Sequence, residues 1–251
     1  MRITEAVKQL IIINVLFYIG SQFVGAPAYE ALSLYFPLNP HFKAWQPVTY
    51  MFMHDQGSIK HLLFNMLGLF MFGTSLEEIW GTKKFLFFYF SCGLGAALLH
   101  IGINYITFYH GMNILLENGY TKADIFAYLN QGMANPQWCE LLTSGQIMGF
   151  GGAYVSPMLG ASGALYGIFI AYAFLFPNRE MFLFLLPIPI KVKYFVSAMV
   201  MIDLYLGFRG SSIFGGQSDG VAHFAHLGGA LIGYIMMWYW KKNEFNSNRW
   251  N

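Results

Sequence analysis

Charge is what this 251-residue chain has least of: Asp, Glu, Lys and Arg together make up 10% of it, against roughly 25% in an ordinary soluble domain. With 56% hydrophobic residues, soluble packing does not account for the composition. Cysteine is nearly absent as well. Cys92 falls in an apolar block and Cys139 in a connecting segment, so the two are not expected to pair, and a metal-type cysteine spacing is excluded. There is no glycine-rich nucleotide loop and no coiled-coil repeat, and a net charge of +2 makes no case for a nucleic-acid partner.

What is present is a series of apolar blocks, near 9–25, 61–80, 85–106, 160–177, 181–207 and 221–240. A span of hydrocarbon about 30 Å thick takes about 20 such residues. The expected fold is therefore an all-α, polytopic membrane protein with six transmembrane helices. The block 181–207 is expected to hold one span, preceded by a short re-entry around Pro187 and Pro189. The first block shows no small-residue cleavage signature and is followed by five more, so it reads as a retained helix and not as a signal peptide.

With six crossings, Arg2, Lys8, Lys83, Lys84, Arg179, Lys191, Lys193, Lys241, Lys242 and Arg249 fall on one side, and Lys43, Lys60, Lys122 and Arg209 on the other. The positive-inside rule then places both termini, including the tail 242–251, in the cytoplasm. The expected location is a cell membrane, of the bacterial inner-membrane type. Residues 1–251 read as a single membrane domain with two long external segments, 26–60 and 107–158. The first carries Pro27, Pro37, Pro40, Trp45 and Pro47, turn formers and an aromatic that suit a structured interfacial loop shielding helices from lipid. The second contains a helical-looking piece from Met112 to Leu129 and a glycine-rich approach from Gly145 to Gly160, with a structural or lid-like role.

Reactive polar groups inside such spans are functional candidates. Ser162 sits in Gly160-Ala161-Ser162-Gly163, at the first turn of a span, where backbone N–H groups have no helical partner and suit an oxyanion. Gly160 and Gly163 permit close backbone approach, and Pro157 disfavours helix just before them. Taken alone, the motif is explained better by helix packing through small residues. His226, early in the last block, changes the balance, because the topology puts it at the depth of Ser162. Gly229 and Gly233, three and seven residues later, form a small-xxx-small face that brings helices together. His226 can then take the Ser162 proton as a general base. Tyr166, four residues after Ser162, lies one turn deeper on the same face, where its ring can stack on His226.

His61 and Asn65, also four apart, can donate hydrogen bonds to a developing oxyanion or form an inter-helix clamp. His54 is expected to brace loop backbone. For a third member, neither Asp203 nor Asp219 is at a compelling spacing, so a two-residue Ser–His arrangement is the simpler expectation.

Taken together, Gly160-Ala161-Ser162-Gly163 with Tyr166, His226 with Gly229 and Gly233, and His61-Leu62-Leu63-Phe64-Asn65 resemble the rhomboid family of intramembrane serine proteases. The likeness runs from about Trp45 to Tyr239, a core of about 45–240. It implies Ser162 as nucleophile, His226 as base, Tyr166 as the ring supporting it, and His61 and Asn65 in the oxyanion hole. Glu77 and Gly81 look like the family's Glu-x-x-x-Gly, a structural element away from the site. The resemblance also implies a six-helix bundle with a water-filled cavity opening outward. Its expected partners are transmembrane protein substrates, cut in or near the span and usually at a small residue, and membrane lipids. His223, one turn before the base, and the long 107–158 segment depart from the family pattern.

Three other readings compete. A catalytically silent scaffold that binds membrane proteins would need neither Ser162 nor His226. A metal or haem protein using His54, His61, His223 and His226 lacks Cys, Asp or Glu ligands at matching depth. A transporter would show inverted repeats or paired broken helices. No cofactor and no metal are expected.

Overall fold

The computed structural model describes residues 2–183, 186–209 and 222–247. Apart from one short hairpin, the described chain is helical. Helix α1 spans Glu5–Val24 and is followed by the short helices α2 (Ala26–Leu32) and α3 (Gln46–Thr49). Helix α4 (Ile59–Gly68) passes through a π-helical turn at Leu69–Gly73 into α5 (Thr74–Trp80), and α6 runs unbroken over Thr82–Glu117. Then come α7 (Lys122–Leu129), α8 (Ser144–Val155) and α9 (Ser162–Leu175), the strands β1 (Glu180–Leu183) and β2 (Leu186–Lys191), and finally α10 (Val192–Arg209) and α11 (His223–Ser247).

Among the described residues, three helical stretches are long and apolar enough to cross a membrane: Glu5–Val24, Ile59–Trp80 and Thr82–Glu117. Their surfaces carry the signature of lipid contact. Phe23, Phe64, Leu98 and Ile106 are among the most exposed apolar side chains, and a belt of such residues is stable only where the surroundings are apolar too. The chain is thus an all-α bundle of several long apolar helices, the architecture of a multi-pass membrane protein.

At the centre of the bundle, α6, α9 and α11 meet with almost no clearance. A Cβ built on Gly229 would lie 1.8 Å from the Gly163 carbonyl oxygen, and one on Gly233 would lie 2.7 Å from the Gly167 Cα. On the other face of α11, a Cβ on Gly228 would lie 2.6 Å from the Gly95 carbonyl oxygen of α6. Small residues let helices associate by dispersion contacts where the hydrophobic effect offers no drive.

Three local expectations change. Helix α6 does not end near residue 106. Its 36 residues, at 1.5 Å each, reach about 54 Å, well beyond a hydrocarbon layer of about 30 Å. The overhang and α8 build a second apolar cluster, with Phe108, Met112, Leu115, Ile125, Leu129, Trp138, Phe150 and Tyr154 all buried. The helical piece expected over Met112–Leu129 is divided between α6 and α7 by a turn at Gly119 (φ 90°), and Thr121 and Asp124 cap α7 reciprocally. Around Pro187 and Pro189 the chain forms an antiparallel hairpin in place of the expected re-entry, with Phe182 opposite Pro189. Proline is tolerated there because each strand of a two-stranded sheet is an edge.

Far along the bundle from Ser162, Glu77 ties two helices together. Its Oε1 accepts the Ala6 N–H at 2.9 Å and its Oε2 the Val7 N–H at 3.0 Å, while the Thr82 hydroxyl donates to Oε1 at 2.7 Å. A buried carboxylate thereby satisfies the orphan donors at the start of α1. Gly81, at φ 75°, then lets the chain turn directly from α5 into α6. Glu77→Ala is expected to lower stability by about 1–3 kcal/mol for the stranded donors, and Glu77→Gln by less. Thermal denaturation in detergent micelles checks this; equal stability of Glu77→Ala and parent would remove the tether from the account.

Candidate active site

Ser162 begins α9, and the segment before it is held as a short extended stretch. Leu34 and Met158 exchange backbone hydrogen bonds at 2.8 Å in both directions, and the Gly160 N–H donates to the Tyr50 carbonyl at 3.0 Å. Gly160 has φ 117°, a region that L side chains rarely adopt, and a Cβ there would lie 3.0 Å from His61 Nε2 and 3.5 Å from Ser162 Oγ. Bare backbone at Gly160 is what leaves His61 and Ser162 facing the same small space. The first bond of the α9 ladder runs from the Leu165 N–H to the Ala161 carbonyl, which leaves the N–H groups of Ser162, Gly163 and Ala164 ahead of it.

His226 stands opposite on α11. Its Nε2 lies 2.8 Å from Ser162 Oγ. The Tyr166 ring stacks on the imidazole, with centroids 4.3 Å apart and planes 9° from parallel. The close backbone contact between Gly163 and Gly229 fixes this arrangement, because each glycine is a near neighbour of one of the two polar residues. Ser162, His226, His61 and Gly160 line one cavity of about 820 Å³, whose far wall includes His100 and Asn104 of α6 and Gly152 of α8. A hydroxyl hydrogen-bonded to an imidazole, in a cavity that also holds the polar side chains of His61, His100 and Asn104, is equipped for proton transfer and nucleophilic attack.

The contact that sequence reasoning left open is Asp203 on α10. Its Oδ1 lies 3.3 Å from His226 Nδ1 and 2.5 Å from His223 Nδ1, and its Oδ2 accepts the Tyr166 hydroxyl proton. The simpler expectation of Ser162 and His226 alone is therefore extended by Asp203, whose spacing leaves its contact with the histidine open. A carboxylate at Nδ1 keeps the ring proton there and leaves Nε2 free to accept from Ser162. Asp219, the other carboxylate considered, lies outside the described residues, as does Arg249. The absence of an acidic ligand at the depth of the histidines is corrected too, since Asp203, His223 and His226 present ligand atoms within 4.8 Å of one another.

The other polar residues divide. The Asp55 N–H donates to His61 Nδ1 at 3.3 Å, so the proton of a neutral His61 sits on Nε2, the nitrogen nearer Gly160. Asn65 is turned away from the cavity wall: its Nδ2 donates to the His61 carbonyl of its own helix at 2.8 Å, and its Oδ1 is buried with no partner among the described residues. His54 is fully buried, its ring 5.1 Å from that of His61, and its backbone carbonyl accepts from the Tyr29 hydroxyl. Burial, with the neighbouring His61 adding to it, pushes the His54 ring down to about 4, so it stays neutral at ordinary pH and acts as a brace beneath His61.

With this geometry in view, the sequence matches the Rhomboid domain family over residues 41–112 and 96–243. It is 27% identical over 182 residues to Rhomboid protein 1, mitochondrial, of Saccharomyces cerevisiae, covering 72% of this chain and 38% of that protein. It is 29% identical over 204 residues to RHOMBOID-like protein 12, mitochondrial, of Arabidopsis thaliana, covering 79% and 47%. Rhomboid protease AarA of Providencia stuartii is 28% identical over 196 residues, covering 76% and 54%. The matched part of the chain thus corresponds to about half or less of the length of these relatives.

Proposed function

From membership of the rhomboid family, to which the chain belongs, we propose that it is an intramembrane serine endopeptidase that hydrolyses a peptide bond in or near the transmembrane segment of a membrane-protein substrate. The observation that carries the reading is the hydrogen bond of 2.8 Å between Ser162 Oγ and His226 Nε2, inside a cavity that His61, His100 and Asn104 also line. His226 takes the serine proton as Oγ attacks the scissile carbonyl, then returns it to the leaving amine. Asp203 keeps His226 in the tautomer that can accept this proton, and the stacked Tyr166 ring fixes its plane.

The negative charge that develops on the attacked oxygen is met by the Ser162 N–H and the His61 Nε2–H. Asn65 joins them only after its amide exchanges the bond to its own helix for one to the oxyanion. Gly160, Gly163, Gly229 and Gly233 serve by setting distances. No step calls for a metal or an organic cofactor.

Six crossings, with α10 and α11 as the last two, put both termini in the cytoplasm by the distribution of lysine and arginine, and the cavity then opens outward. An intact substrate helix hides its carbonyls in i to i+4 hydrogen bonds, so attack needs a locally extended stretch at the depth of Ser162.

Purified protein in liposomes is expected to cut a single-span substrate of known topology in the outer part of its helix. A substrate with Gly or Pro beside a small residue at that depth should be cut several-fold faster than a uniformly Leu-rich one. Mass spectrometry of the two products checks both statements. Cuts at the cytoplasmic end would reverse the orientation, and absence of any cut by the folded protein across a panel of such substrates would favour a binding scaffold.

A further inference from the structure

Hydrolysis uses Nε2 of His226; the opposite nitrogen of the same ring faces a cluster with chemistry of its own. His223 and His226 lie three residues apart on α11 and so share a helix face, and Asp203 reaches them from α10. One ring nitrogen of each histidine and an Asp203 carboxylate oxygen all lie within 4.8 Å of one another. His226 Nδ1 is 3.3 Å and His223 Nδ1 is 2.5 Å from the same Asp203 oxygen. All three side chains are largely buried, with 13%, 11% and 6% of the His226, His223 and Asp203 side chains exposed.

Two imidazoles and one carboxylate are a donor set for Zn²⁺ and its first-row neighbours. Bonds of about 2.0–2.1 Å around a tetrahedral ion set its ligands about 3.3 Å apart. That is already the separation of His226 and Asp203, while the His223 ring has to back away from the carboxylate by about 1 Å and the widest pair, up to 4.8 Å apart, has to close by roughly 1.5 Å. The remaining Asp203 oxygen accepts from the Tyr166 hydroxyl, the kind of outer bond that orients a ligating carboxylate.

We propose that Asp203, His223 and His226 form an inhibitory site for a divalent transition-metal ion of the zinc class. The inhibitory effect rests on the protease reading above; the binding does not. An ion on Nδ1 of His226 occupies the lone pair there, so the single proton of the neutral ring moves to Nε2. Nε2 then donates to Ser162 Oγ and no longer accepts from it, and the base is lost with no net gain or loss of protons. The cation also opposes formation of the imidazolium that proton transfer would create. The ion sits behind the ring, on the side away from Ser162, and so has no access to a scissile carbonyl; it is an inhibitor and not a cofactor.

Binding is tested on the Ser162→Ala protein, which has no hydrolysis to confuse the readout, by titrating zinc chloride in a calorimeter and cobalt chloride in an absorption spectrometer. One saturable site per chain is expected. Adding His223→Ala should weaken it at least about tenfold, and His223→Gln, which keeps a polar group against Asp203, serves as a second variant if the first folds poorly. Unchanged affinity in a folded His223 variant would put the ion elsewhere and overturn the site.

In the active protein, zinc chloride should slow cleavage at least tenfold, reversibly with EDTA, while each His223 variant keeps its own metal-free rate. Tight binding through His223 with no slowing would overturn the inhibitory role. A protein that binds zinc in this way but never cuts would overturn the protease reading and leave the metal site standing.

Discussion

Ser162→Ala and His226→Ala are each expected to lower the rate of substrate cleavage on the order of 10⁴-fold or more while leaving the protein folded. Ser162 Oγ and His226 Nε2 are 2.8 Å apart and act in the proposed step as one unit, so losing either half costs nearly what losing both costs. The double variant should therefore be scarcely worse than either single one. The structural cost is small, because Asp203, the buried carboxylate that His226→Ala deprives of one partner, keeps His223 and Tyr166. Rates measured in liposomes beside the parent, with melting temperatures to verify folding, check the claim. Cleavage at the parental rate by either folded variant would end the Ser–His assignment.

Gly229→Val is expected to disable the protein by a different route. A Cβ at 229 would stand 1.8 Å from the Gly163 carbonyl oxygen and 2.7 Å from its carbon. The obstacle is backbone and not a side chain that can swing away, so α9 and α11 must separate. Overpacking of yielding cores already costs about 1–3 kcal/mol; here the loss should be at or above that range, with activity lost as Ser162 and His226 part. Gly102→Ala and Gly151→Ala, which meet nothing within 4 Å, are the controls and should cost a few tenths of a kcal/mol at most. Unfolding in detergent and cleavage rate measured on the same preparations separate the two effects. Parental stability and rate in Gly229→Val would refute the contact.

Much of this was legible from the chain itself, because the strongest signals were local. Apolar block length reports helices directly, and the spacings of Ser162 with Tyr166 and of His61 with Asn65 report shared helix faces. The distance between Ser162 and His226 was accessible only through matched depth, a constraint that a bilayer imposes and water does not. Asp203 was out of reach: it lies 20 and 23 residues from the two histidines it touches, and no periodicity links one helix to the next. Past the apolar block that ends near residue 106, α6 continues through Gly111, where a Cβ would meet Phe150 at 2.7 Å. The residue is small to admit a neighbour, not to turn the chain. The hairpin over Glu180–Lys191 escaped because a few apolar residues with two prolines fit several conformations equally well.

The absence of clearance between α9 and α11 also bears on how such a chain can evolve. Where helices are held apart by large side chains, every repacking of the core shifts the helices and with them whatever they carry. Here the spacing of Ser162 and His226 is inherited from peptide groups in contact, whose dimensions do not depend on which amino acids lie elsewhere. Lipid-facing positions and the cluster beyond the overhang of α6 are therefore free to drift in sequence without disturbing the pair. Identities of 27–29% to the three relatives are in keeping with such drift.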